Sequence, residues 1–185
     1  MQTVAHHTCN KEGERAYVEV NSPFLSDYIP DKNKLQFLGA GYYFWDDNIE
    51  MAHNWGRWHY KNSYFIIECN LHMPQGLFLD LVGNRSHLRY FSNLMSKFEE
   101  KGFAREKWTI GAFIEYLKSL ERKDPGIFPF KVIRALDLSP KDKELSRFYF
   151  VPGKNNYMNI DPRLVICLIE KNSLILRSKT IVFES

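Results

Sequence analysis

The sequence predicts an α+β fold, a mixed or antiparallel β-sheet core with two or three packed helices, and three observations predict it. Short runs of apolar, β-branched and aromatic residues recur along the chain, at YFIIECNL (64–71), FKVIRALDL (130–138) and LVICLIE (164–170). Two longer segments place apolar residues at helical intervals instead. In 87–100 these are Leu88, Phe91, Leu94, Met95 and Phe98; in 108–121 they are Trp108, Ile110, Phe113, Ile114, Leu117 and Leu120. The composition, 44% hydrophobic and 25% charged, is that of an ordinary globular chain, and with no repeat, linker or low-complexity tract residues 1–185 read as one domain.

The remaining elements follow from local signals. TVAHHT (3–8) reads as an opening strand, CNKEGER as a polar turn, and AYVEVN as the start of a further ordered segment. Pro23, Pro30 and their polar neighbours make 21–36 a loop. QFLGAGYYFW is an aromatic, strand-like run interrupted by two glycines, which permit a bulge or the close approach of a ligand to the backbone. The run stops at Asp46-Asp47-Asn48. There Asp47 is expected to cap a helix over 48–60, with Glu50 completing a capping box and Ile49, Ala52 and Gly56 at helical spacing. GLFLDLV (76–82) follows Pro74 as another strand, Gly102 separates the two long helices, and ILRSKTIVF (175–183) is a final strand.

Charge and cysteine usage narrow the class. A net charge of +3 and a pI of about 8.7 permit an anionic partner without demanding one. The basic region from Arg85 to Lys107 is interrupted by Glu99, Glu100 and Glu106, the pattern of solvated helix faces. Cys9, Cys69 and Cys167 are far apart and offer neither a CxxC pair nor an even disulfide framework, so a reduced, cytoplasmic setting is expected. The first residues lack the basic and apolar regions of a signal peptide, and no apolar stretch approaches the roughly 20 residues needed to cross a bilayer. No membrane partner is therefore expected.

Several common chemistries are excluded by spacing. Gly39-Ala40-Gly41 lacks the G-x-G-x-x-G order of a dinucleotide loop, and no Gly-Lys-Ser/Thr closes a P-loop. His53 and His59 are not four residues apart and no HExxH occurs, so no metal is expected. There is no GxSxG elbow. Cys9 lies close to His6 and His7 but without a located orienting group. On the residues alone, the aromatic run also reads as core packing in which glycines relieve crowding.

The segment Gly39-Ala-Gly41-Tyr42-Tyr43-Phe44, the polar break at Asp46-Asp47 and the small Ala52 on the next helix resemble the ADP-ribosyltransferase superfamily. The similarity is to the poly(ADP-ribose) polymerase-like, diphtheria-toxin-like branch. His6-His7-Thr8 resembles that branch's opening His-Gly-Thr strand, in the same order along the chain. The specific matches fall within residues 5–60. The third family motif, a Glu at the start of a later strand, has no direct counterpart. The corresponding region is Asn155–Asp161, where Asp161 is the nearest carboxylate and Asn159 a polar alternative.

The resemblance implies a split mixed or antiparallel sheet and NAD as co-substrate. It also implies roles for individual residues. His6 would hydrogen-bond the ribose beside nicotinamide, a task neutral imidazole can perform. His7 stands where the family has Gly, with Thr8 completing the motif. Tyr43 would stack on nicotinamide, whereas Tyr42, its strand neighbour, would point to the opposite face. Gly41, Asn54 and Trp55 complete the expected cofactor-binding set, Trp55 as a second ring. Asp161 would stabilise the oxocarbenium-like transition state of C1′–nicotinamide cleavage; Glu170, at the far end of its strand, suits that role less well.

The activity so implied is NAD-dependent mono-ADP-ribosyl transfer to a protein or nucleic-acid acceptor. Three alternatives share the fold: an RNA 2′-phosphotransferase-like enzyme, a non-catalytic NAD- or ADP-ribose-binding domain, and a toxin or anti-phage effector with a regulatory or antitoxin partner.

Overall fold

The computed structural model describes residues 1–11, 13–28, 37–102, 109–137 and 147–185. In chain order the elements are β1 (Gln2–Asn10), α1 (Arg15–Asn21), β2 (Tyr42–Asp46), α2 (Ile49–His59), β3 (Tyr64–His72), a short 3₁₀ turn (Gln75–Leu77), β4 (Phe78–Asp80), α3 (Arg85–Glu100), α4 (Ile110–Lys123), β5 (Val132–Leu136), β6 (Arg147–Tyr149), β7 (Tyr157–Asn159), β8 (Leu164–Leu168) and β9 (Leu176–Glu184). Seven strands form one sheet in the order β4-β5-β8-β2-β1-β3-β9, and β6 and β7 form a separate ribbon. Only the β4–β5 pairing in the large sheet is parallel. The fold is therefore α+β, with a mixed, largely antiparallel sheet and packed helices.

Strand alternation sends each residue to one of two faces. The first face carries Ala5, Cys9, Phe44, Phe65, Ile67, Cys69, Ile166 and Leu168, with Val18 of α1 packed in the same cluster. On the second face, α3 and α4 supply Phe91, Phe113, Ile114 and Leu117 against Ile133, Val165 and Cys167. Elsewhere on that face, Ala52 of α2 packs with Tyr64 and Ile66 of β3. Trp45 touches both of these clusters and so marks the seam between them.

The seam is also where the sheet is thinnest in pairing. β1 and β3 run in register from Gln2↔His72 through Asn10↔Tyr64. β1 and β2 share only Ala5↔Asp46 and His6↔Trp45, plus the Asp47 N–H donating to the Val4 carbonyl at 2.9 Å. Beyond His6 the strands part. The Tyr43 carbonyl then takes its hydrogen from a side chain, His7 Nδ1, at 2.8 Å, which meets the requirement that buried backbone groups be paired.

Several sequence expectations are corrected. The helix after β2 is capped by Asn48, whose side chain accepts from the Met51 N–H; Asp47 instead takes a left-handed φ of 46° at the corner, a conformation Asp tolerates. AYVEVN, by contrast, is the ordered segment expected, and it lies in helix α1. The 76–82 strand shortens to Phe78–Asp80 behind the 3₁₀ turn. Leu88 and Ile110 are exposed, since each sits in the first turn of its helix ahead of the packed stripe. Trp108, Pro30, Gln36, Leu138 and the basic stretch at 103–107 lie outside the described residues.

Candidate functional site

His6 and Tyr43 lie on the same face of the sheet, on neighbouring strands that separate just past His6. His6 pairs in register with Trp45 on β2 and with Glu68 on β3. The residue is 5% exposed, Nε2 lies 3.7 Å from Glu68 Oε2, and Nδ1 is buried without a hydrogen-bond partner. Burial lowers the His6 pKa, with Glu68 and Asp47 opposing that shift, so the imidazole is neutral near physiological pH. A neutral ring with an unused buried nitrogen holds hydrogen-bonding capacity in reserve, and such groups are uncommon in folded interiors.

Around His6 the same face presents rings and carboxylates. Trp45 is tilted against Trp55 of α2 with centroids 6.4 Å apart, Arg163 stands over Trp45 at 5.9 Å, and Trp55 stacks on His59 at 4.7 Å. Tyr43 is half-buried against the α3–α4 cluster, whereas Tyr42 packs on the opposite face, as strand alternation requires. The Tyr43 hydroxyl donates to the Gly39 carbonyl at 2.5 Å and accepts from the Leu38 N–H at 3.1 Å. Burial raises its pKa strongly, so it stays a phenol. Its hydroxyl is thus committed to the backbone at Leu38 and Gly39.

Asp161 is exposed and accepts from Asn48 Nδ2 at 2.7 Å, which fastens it to the start of α2. Its own N–H is taken by Asn159 Oδ1 at 3.0 Å, an Asx-type turn just ahead of β8. β8 runs antiparallel to β2 with Val165 opposite Trp45. Asp161 is thus attached at the same end of β2 as Trp45. Glu170, by contrast, pairs with Lys131 at 3.0 Å beyond the other end of β8.

The other expected residues have structural tasks. His7 points to the first face, accepts the Phe24 N–H on Nε2 at 3.1 Å and contacts the Tyr43 carbonyl through Nδ1, so both ring nitrogens are committed and the proton is on Nδ1. Burial pushes its pKa down to about 4. Thr8 donates to the Ala52 carbonyl at 3.0 Å and ties α2 to β1. Gly41 exchanges both backbone hydrogen bonds with Ser26, and a Cβ there would lie 2.4 Å from Cys167 Sγ. Gly39 has φ +82° and lets the Glu115 carboxylate reach the Ala40 N–H at 2.6 Å. Asn54 is exposed and accepts from Arg57 at 2.8 Å. The three cysteines are buried, and burial raises Cys9 to about 11 and Cys69 and Cys167 to about 12, so none is an activated nucleophile.

Sequence reasoning missed Glu68. It is the one charged residue in the mostly apolar YFIIECNL run, and its side chain remains 41% exposed. A charge interrupting a buried strand was the available signal; its cross-strand partner was not. Among the described residues no group of three or more His, Cys, Asp and Glu could hold a metal, and no helix is long and apolar enough to cross a membrane. A cavity of about 240 Å³ lies on the opposite face, bordered by Arg15, Ser22, Ile67 and Lys179.

Fold and site together define an α+β protein whose sheet parts beside a buried, half-used histidine. Compared with known proteins, the chain matches no family model, no curated protein and no solved structure.

Proposed function

We propose that the chain is an NAD-dependent mono-ADP-ribosyltransferase, acting on a protein or nucleic-acid acceptor with release of nicotinamide. One observation carries the reading. His6, with its Nδ1 buried and unpartnered, shares a face with Tyr43, Trp45 and Trp55 where β1 and β2 separate. That grouping supports the order of motifs from which the resemblance was drawn.

In this reading the rings of Tyr43 and Trp55 grip the planar nicotinamide and His6 takes a ribose hydroxyl, a contact that requires its ring to turn because Nδ1 is buried in the free protein. The C1′–N bond breaks with its electron pair going to the pyridinium nitrogen, so nicotinamide leaves neutral. An acceptor oxygen or nitrogen then attacks C1′ and gives up its proton. A carboxylate facing the ribosyl carbon offsets the positive charge of the transition state. Asp161 and Glu68 are the two candidates, Glu68 being within 3.7 Å of His6.

A second reading, a non-catalytic NAD- or ADP-ribose-binding domain of the same fold, is favoured by Asp161 itself. Its carboxylate is held by Asn48 on an exposed turn, and no Glu opens β8. Incubation with NAD, alone and with cell extract, separates the two. Transfer of label from NAD to an acceptor supports the transferase, release without transfer indicates hydrolysis, and binding without release supports the binding domain.

A further inference from the structure

Among the described residues, exposed apolar side chains cluster on the β6–β7 ribbon. Phe148, Tyr149, Phe150, Val151, Tyr157, Met158 and Ile160 are each between 42% and 68% exposed. None belongs to a core cluster. A two-stranded ribbon of three-residue strands is marginally stable by itself, and apolar patches of this kind mark interaction sites.

The chemistry of the ribbon selects the partner. Between Arg147 and Ile160 the charged residues are Arg147 and Lys154, and the first carboxylate is Asp161. Register puts Arg147 opposite Asn159, Phe148 opposite Met158 and Tyr149 opposite Tyr157. Tyr149 and Tyr157 meet edge to face at 6.0 Å, and the Arg147 guanidinium lies 4.8 Å from the centre of the Tyr157 ring. One side therefore carries an Arg–Tyr–Tyr row and the other carries Phe148 and Met158. A purely apolar partner would gain nothing from the cations, and a duplex hides its base faces. Exposed rings beside cations, with no carboxylate among them, fit unstacked bases joined by phosphates.

We propose that the β6–β7 ribbon binds single-stranded nucleic acid, stacking bases on Tyr149 and Tyr157 while Arg147 and Lys154 meet the backbone phosphates. The ribbon leads directly into Asp161, which Asn48 fastens to the start of α2. A strand held there lies at the edge of the candidate site. Binding stands independently of the NAD reading; only the consequence that the strand is an acceptor rests on it.

The test is a fluorescence-anisotropy titration, without NAD, of the full chain with labelled oligodeoxythymidine, oligouridine and a duplex of equal length. Tyr157→Ala, Tyr149→Ala and Arg147→Ala are compared, with circular dichroism and melting temperature to show that each folds. Both single strands should bind more tightly than the duplex. Loss of either tyrosine should weaken them about fivefold or more, since each base–ring stack contributes roughly 1–3 kcal/mol. Arg147→Ala should lower the salt slope by about 0.7. If the alanine variants melt early, Tyr149→Phe and Tyr157→Phe, which keep the rings, should bind like wild type, and loss of binding in either would overturn the proposal. Equal affinity for duplex, undiminished binding in the tyrosine variants, or self-association that Tyr157→Ala abolishes would each overturn the proposal. Single-strand binding without nicotinamide release would leave the ribbon standing and count against the NAD site alone.

Discussion

His6 and His7 are adjacent in sequence, equally buried, and opposite in chemical circumstance. His7, on the first face, has both nitrogens bonded to backbone, bridging the gap where β1 and β2 part. His6, on the second face, has one nitrogen 3.7 Å from a half-exposed carboxylate and the other without a partner. On the first face Asp46 is held by Thr3 at 2.6 Å and by Arg134 at 2.7 Å, while Ser22 Oγ, beside the cavity there, is buried without a partner. The two rings themselves differ sharply: one residue step separates a histidine whose nitrogens both serve the backbone from one whose Nδ1 serves nothing in the fold.

The contrast breaks most readily at His7. His7→Ala removes a buried ring and orphans the Tyr43 carbonyl and the Phe24 N–H, so it should destabilise by about 3 kcal/mol or more in denaturant unfolding. A loss below about 1 kcal/mol would show that the bridge is dispensable. The same residue gives the pH dependence its sign. Its folded pKa of about 4 lies below the unfolded value near 6.5, so the unfolded chain binds more protons between them. Stability from this group is complete above pH 6.5 and declines as pH falls toward 4, by about 3 kcal/mol in all. His7→Gln should flatten that decline, and an unchanged acid limb would assign it to other groups.

Gly41 sharpens the comparison from the packing side. An added Cβ meets Cys167 Sγ at 2.4 Å and the Leu168 carbonyl at 2.9 Å, and the backbone atom cannot swing aside. Gly41→Ala should therefore cost about 1–3 kcal/mol by thermal or chemical unfolding. A neutral result would free the glycine for the ligand-approach role that the sequence also allowed. The smallest stability changes are expected at the carboxylates. Asp161→Asn and Glu68→Gln, both outside the core, should each move stability by no more than about 0.5 kcal/mol. The variant that removes the working carboxylate should slow single-turnover nicotinamide release tenfold or more at unchanged NAD affinity. Equal, undiminished rates in both would remove the pair from the chemistry.

These residues also explain how much the sequence disclosed. The long strands and helices were legible because their apolar periods are set by local geometry: β3 and β8 read as continuous apolar runs, and α4 as a stripe through Phe113, Ile114 and Leu117. Tyr42 and Tyr43 could be assigned to opposite faces from alternation alone. What was not legible depended on partners distant in sequence. His7 reads like His6 until Phe24 and Tyr43 are known to surround it, and Gly41 reads as a ligand-facing glycine until Cys167 is placed against it. Glu68 gains meaning only through its register with His6. The ribbon escaped notice because three-residue strands fall below any periodic signal, and its rings, unlike those of the core, face water.

The central claim is that the unused nitrogen of His6 serves NAD. Nicotinamide release from NAD, measured for wild type and His6→Ala beside their melting temperatures, tests it most directly. His6 forms no hydrogen bond through Nδ1, so the substitution leaves a cavity like that of His7→Ala but orphans no backbone group, and it should cost less stability than His7→Ala. Wild type should release nicotinamide, and His6→Ala should release it at least about tenfold more slowly, equivalent to 1.4 kcal/mol or more of transition-state stabilisation. A folded wild type that neither binds NAD nor releases nicotinamide, or a His6→Ala variant as active as wild type, would contradict the account.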